Sequence, residues 1–86
     1  MIASELAPFI AWLAGREPDE STRRSYRVHV QAYLEYAAQH GGVSDQNHRA
    51  FEALFPQQDR TRAERAAALA RFAEHRLITE QARIST

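Results

Sequence analysis

Asp19-Glu20-Ser21-Thr22-Arg23-Arg24-Ser25-Tyr26-Arg27 is the stretch that decides the reading. Asp19 is a suitable N-cap, and Glu20 sets a negative charge at the positive end of a helix dipole. Behind them Tyr26, Val30, Tyr33, Leu34 and Ala37 recur at i, i+3 and i+4, the spacing of one buried helical stripe. Gly41-Gly42 ends the pattern, so a long helix is predicted over 20–39. Three arginines, Arg23, Arg24 and Arg27, fall within a span of five residues near its start, where exposed guanidinium and hydroxyl groups suit phosphate.

Working outward, Ile2, Leu6, Phe9, Ile10 and Leu13 form an earlier apolar stripe, with Trp12 at its edge. With Ser4 as N-cap, this first helix is expected over 5–14, and Pro8 would occupy its first turn at little cost. Gly15 and Pro18 close it. Downstream, Ser44 opens a shorter helix over 45–55 with core contacts at Phe51, Leu54 and Phe55, and His48 on the same side; Pro56 stops it. A fourth helix is expected over 60–75, capped by Asp59 or Thr61. Its apolar side is read as Ala66, Leu69, Ala70, Phe72 and Ala73, with Leu77 and Ile78 closing the core. No strand pattern or repeat is present. The expected fold is an all-α four-helix bundle over 1–78, with 79–86 as a tail or the start of a linker.

Eighty-six residues allow one domain with a modest core and no deep enzyme cleft. No stretch is long and apolar enough to span a membrane, the N-terminus lacks a basic leader, and without cysteine there is no disulfide or thiolate site. A cytoplasmic protein is expected. The formal net charge is zero, against a protein whose whole surface grips nucleic acid. All 11 basic residues are Arg, which forms better phosphate forks than Lys. The abundance of alanine beside them fits GC-rich coding equally well.

Chemistry-bearing motifs are scarce. His29, His40, His48 and His75 are read as forming no ligand-like constellation with another His, Asp or Glu, so no metal is expected. His40 and His75 are read as dipole partners near helix C-termini. There is no nucleophile elbow and no phosphate loop, so neither a cofactor nor catalytic residues are expected. The arginines remain: Arg23 and Arg27 share a helix face, Arg24 lies 100° round, and Arg62 and Arg65 are i, i+3 behind Arg60 and Thr61. A solvated face laced with ion pairs, Glu20 with Arg23 or Arg24 and Asp59 with Arg62, explains them as well as a binding site does.

Phe9-Ile10-Ala11-Trp12-Leu13, the Pro-containing gap, Asp19-x-x-Thr22-x-x-x-Tyr26-Arg27, Tyr33-Leu34, Gly41-Gly42 and Glu74-His75-Arg76-Leu77-Ile78 together resemble one family. It is the N-terminal core-binding (SAM-like) domain of tyrosine recombinases and phage integrases. The resemblance covers about residues 6–78. It departs from the family pattern at Arg76, where Gly is usual and a left-handed turn is expected. It also departs at Arg23, where an apolar residue is common, in the short third helix, and at Gln81-Ala82-Arg83, which stands near the family's Asn-Pro boundary.

The resemblance implies one half of a clamp around a recombination site, with the second and fourth helices on the major groove contacting mainly phosphates. It implies double-stranded DNA as the partner, bound weakly and with strong salt dependence by a module that is monomeric in isolation, and contacts to other recombinase subunits. Catalysis would reside in a separate C-terminal domain. Carried over by motif, Thr22 and Arg27 of the second helix and Thr61, Arg62 and Arg65 of the fourth are the DNA-facing residues. The outward Arg23 and Arg24 join them, on the condition that the two helices lie side by side. The alternative is a helical protein–protein interaction domain without a nucleic-acid role.

Overall fold

Residues 2–56 and 58–85 are described by a computed structural model, with side chains placed from Glu5 to Ile84. Their four helices are α1 (Ile2–Ala14), α2 (Glu20–Ala38), α3 (Asp45–Ala53) and α4 (Arg62–Ser85), and no strand occurs among the described residues. The expected roles of the Ile2 and Ser4 side chains lie outside the described residues. The helix already includes Ser4, so α1 starts earlier than read, and Pro8 becomes an interior residue. Its missing N–H ties the first turn to the rest of α1 by one bond fewer.

α2 is the central element. Its stripe is the one the sequence announces: Val30, Tyr33, Leu34 and Ala37 are buried, and Tyr26 packs against them half-buried. Phe9 and Leu13 of α1, Phe51 of α3, and Ala68, Leu69 and Phe72 of α4 close around it. Rings interlock at the centre. Phe9 meets Phe72 edge-on at 5.4 Å between centroids, and Tyr33 meets Phe51 at 5.5 Å and Phe72 at 6.3 Å. Such pairs add about 0.5–1.5 kcal/mol each beyond the area they bury. The Tyr33 hydroxyl, half-way to the surface, donates to the Ser44 carbonyl at 3.2 Å, so the polar end of this core ring is satisfied. Burial raises its phenol pKa above the ordinary value.

The turn from α2 into α3 follows from its residues. Gly41 and Gly42 take φ of 93° and 111°, a region L side chains avoid. Asn47 Nδ2 donates to the carbonyls of His40 and Gly42 at 2.9 and 2.6 Å, while Ser44 Oγ caps α3 by accepting from Asn47 N–H at 3.0 Å. α3 ends at Ala53, so Leu54 is 62% exposed instead of packed.

α4 departs most from expectation. It runs to Ser85, and Arg76 continues the helix where a left-handed turn was expected; no non-glycine residue among those described has positive φ. His75 is consequently mid-helix and no dipole partner at a C-terminus. The buried stripe is Arg65, Ala68, Leu69 and Phe72, with His75 half-buried behind it. Ala66, Ala70, Ala73, Leu77 and Ile78, read as core, are exposed. The physical reason is that α4 carries two apolar stripes. Ala66, Ala70, Ala73, Leu77 and Ile84 repeat at i, i+4, i+7, i+11 and i+18 on a face about 100° from the buried one. Hydrophobicity alone does not choose between them. Phe72 does, because only its stripe meets the Phe9 and Tyr33 rings.

No helix among the described residues is long and apolar enough to cross a membrane.

Candidate nucleic-acid interface

The two helix starts are built alike. Asp19, in extended conformation, accepts at Oδ2 from Thr22 N–H (2.9 Å) and Thr22 Oγ1 (2.6 Å), and its carbonyl accepts from Arg23 N–H at 3.0 Å. Asp59 accepts at Oδ1 from Thr61 N–H (3.0 Å) and Thr61 Oγ1 (2.9 Å), just ahead of α4. At α2 this internal carboxylate already occupies the anion position of the helix N-terminus, whereas Asp59 binds the N–H of Thr61, ahead of α4. Hydrogen bonds from Thr22 hold the Asp19 carboxyl below its ordinary pKa. Arg65 first, then the Thr61 N–H and hydroxyl, hold Asp59 at about 2. Both remain ionised at neutral pH. At α2 the anion position expected to suit phosphate is therefore already filled by Asp19. The Thr22 and Thr61 hydroxyls donate inward and keep only lone pairs, which an anion does not use.

The arginines divide. Arg65 is 5% exposed: its Nη2 donates to Asp59 Oδ2 at 2.7 Å and Thr61 Oγ1 at 2.9 Å, and its guanidinium stacks 3.4 Å over the Phe55 ring. It is a core residue with a charge, and the expectation that it points outward with the other arginines is overturned; the ion pair expected between Asp59 and Arg62 is made by Arg65 instead. Arg23 is half-tethered, its Nη1 donating to the Glu17 carbonyl at 2.6 Å. Arg24 pairs with Glu20 at 3.2 Å, both side chains about three-quarters exposed, a contact of little energy that solvent or a ligand displaces easily. Arg27, Arg60 and Arg62 are exposed, and among the described residues none of them makes an ion pair.

The condition that α2 and α4 lie side by side is met. Both helices advance in the same direction along their contact: Ser25 and His29 meet Glu64, and Tyr33 meets Phe72 eight residues further along each chain. The face that α2 turns to α4 is not its arginine face. Arg23, Arg24 and Arg27 line a groove shared with Ile10, Leu13 and Ala14 of α1. The seam itself holds a carboxylate. Ser25 Oγ donates to Glu64 Oε1, and His29 Nε2 lies 3.9 Å from Glu64 Oε2. The sequence reading passed over this trio, since Ser25 and Glu64 are far apart along the chain. It also passed over His48 and Glu52, an i, i+4 pair at 2.6 Å whose spacing was legible. No group of three or more metal-ligating side chains is assembled among the described residues.

Set against known protein families, curated proteins and solved structures, the chain matches none of them.

Proposed function

We propose that this domain is a double-stranded DNA-binding module of the kind its sequence resembles, the core-binding domain of a tyrosine recombinase, holding DNA while strand exchange is catalysed elsewhere. The observation that carries the reading is the parallel contact of α2 and α4. It brings two basic helix starts to one end of the domain, joined through Ser25 and Glu64. The contacting set is narrower than the sequence motif implies. Arg24, Arg27 and Arg62, with Arg60, are free to reach phosphates, whereas Thr22, Arg23, Thr61 and Arg65 organise the helix starts. Few phosphate contacts and zero net charge mean binding of micromolar affinity or weaker, lost steeply with salt. Titrating a fluorescent duplex at about 20 and 150 mM salt tests this. Binding at low salt, weakened by Arg27→Ala and Arg62→Ala with a shallower salt slope, supports it; no binding at low salt ends it.

A specific observation favours a second reading, an interaction domain for proteins. The outer stripe of α4 exposes Leu77 (59%) and Ile84 (78%) in line with three alanines, an unpartnered apolar face. Loss of self-association or partner binding in Leu77→Glu, with duplex binding intact, would separate the two roles.

A further inference from the structure

His75 occupies an unusual place on α4. Its ring lies 5.4 Å from Trp12, 5.9 Å from Phe9 and 6.5 Å from Phe72, centroid to centroid, so three aromatic side chains from α1 and α4 box it in. Two polar atoms in this box are buried without a partner: His75 Nδ1 and Trp12 Nε1. They are complementary. The indole N–H is only a donor, and an imidazole nitrogen without a proton is an acceptor. On its other side His75 Nε2 lies 3.5 Å from Thr79 Oγ1. A neutral ring protonated at Nε2 donates toward Thr79 and leaves the buried Nδ1 without a proton. A second proton on Nδ1 would be a buried donor with no acceptor, the costly arrangement for a polar group.

We propose that His75 is an acid-sensitive latch between α1 and α4, closing the aromatic box when neutral and loosening α1 from α4 when protonated. Burial pushes the imidazole below its ordinary pKa, in agreement with that geometry. The charged groups around it are mixed. α1 contributes Glu5 on the adjoining cleft and Arg16, stacked 5.2 Å over Trp12. α4 contributes Arg76, Glu80 and Arg83 along the same cleft and the Arg71–Glu74 pair beside it. Among the described residues no α2 or α3 side chain lines that cleft. Three glutamates and four arginines thus nearly offset one another nearby, and desolvation decides. Because the folded ring takes its proton later than the unfolded one, the latch is intact above about pH 6.5 and weakens as pH falls below it.

Trp12 is the only tryptophan, so its fluorescence reports on the box alone. The test follows the His75 ring by 15N–1H NMR from pH 8 to 5, with Trp12 emission measured in parallel. The expected result is an Nε2-protonated ring at pH 8, titration below the ordinary value of about 6.5, and a Trp12 transition at the same midpoint. In His75→Phe that transition disappears. Its melting temperature also falls less between pH 7.5 and 5.5 than that of the wild type, by about 4 °C or more. An Nδ1-protonated ring, titration at or above about 6.5, or a Trp12 transition that survives in His75→Phe overturns the proposal. If His75→Phe does not fold, the wild-type titration decides: coincident ring and Trp12 midpoints support the latch, and separate ones refute it.

Discussion

The starts of α2 and α4 use the same three residue types to opposite ends. Each has a pre-helical aspartate that binds a threonine, Thr22 inside the first turn of α2 and Thr61 just ahead of α4, and each has an arginine downstream. At α2 the downstream residue, Arg27, stays in solvent; at α4 it is Arg65, folded back onto Asp59 and over Phe55. The difference lies in what precedes the cap. A ring, Phe55, stands before Asp59 and offers Arg65 an aromatic floor, whereas Glu17 and Pro18 before Asp19 offer only a carbonyl, which Arg23 takes. The arginine downstream of the cap is thus exposed in one case and part of a structural clamp in the other, and the neighbouring loop makes the choice.

The largest way to break the comparison is to cut the clamp. Arg65→Ala should destabilise the domain by about 2 kcal/mol or more, through lost stacking and a stranded carboxylate. Its melting temperature should fall on the order of 10 °C. Arg27→Ala should stay within about 0.5 kcal/mol of wild type in the same denaturation measurement; equal effects would erase the distinction.

Acid offers the next contrast. The folded Asp59 carboxyl, at about 2, lies below its ordinary 3.8. Its contribution is therefore present above about pH 4 and lost as pH falls toward 2. Urea midpoints measured from pH 5 to 2 should drop less in Asp59→Asn than in wild type, relative to their own values at pH 5.

On DNA the ranking inverts. Arg27→Ala and Arg62→Ala should each weaken low-salt duplex binding by about two- to fivefold and lower the salt slope by about one. The smallest change is at the seam. Glu64→Gln removes the negative charge between the basic starts and should strengthen low-salt binding about twofold in the same titration. Weaker binding would mean that Glu64 matters for positioning rather than for charge.

The α2 stripe was legible because its large residues, Tyr26, Val30, Tyr33 and Leu34, all point one way, and Val28 on another face is outweighed by them and stays exposed. The α4 stripe was not, because alanine is apolar on every face and the true buried face is bounded by Arg65 and His75, residues that hydrophobicity assigns to solvent. The helix 4 boundary failed for a different reason: the resemblance placed a glycine turn at position 76 and periodicity weakens from Thr79 onward, yet Arg76 and the residues after it are compatible with helix. At the candidate site the residue types were readable, and Arg24, Arg27 and Arg62 do lie exposed. Which arginines were already spent depended on Asp59, Phe55 and the Glu17 carbonyl, contacts that periodicity does not encode.

The corner clipped by Asn47 has a consequence for the order of assembly. Ser44, Asn47, His40 and Gly42 are close along the chain, so their hydrogen bonds close a small loop at little entropic cost. The Phe9–Phe72 contact joins opposite ends of the chain and requires most of the molecule to be in place. The α2–α3 corner should therefore form early and the α1–α4 contact late. In pulsed hydrogen exchange during refolding, protection should reach the amides of Gly42 and Asn47 before those of Phe9 and Leu13, and the reverse order would refute this folding sequence.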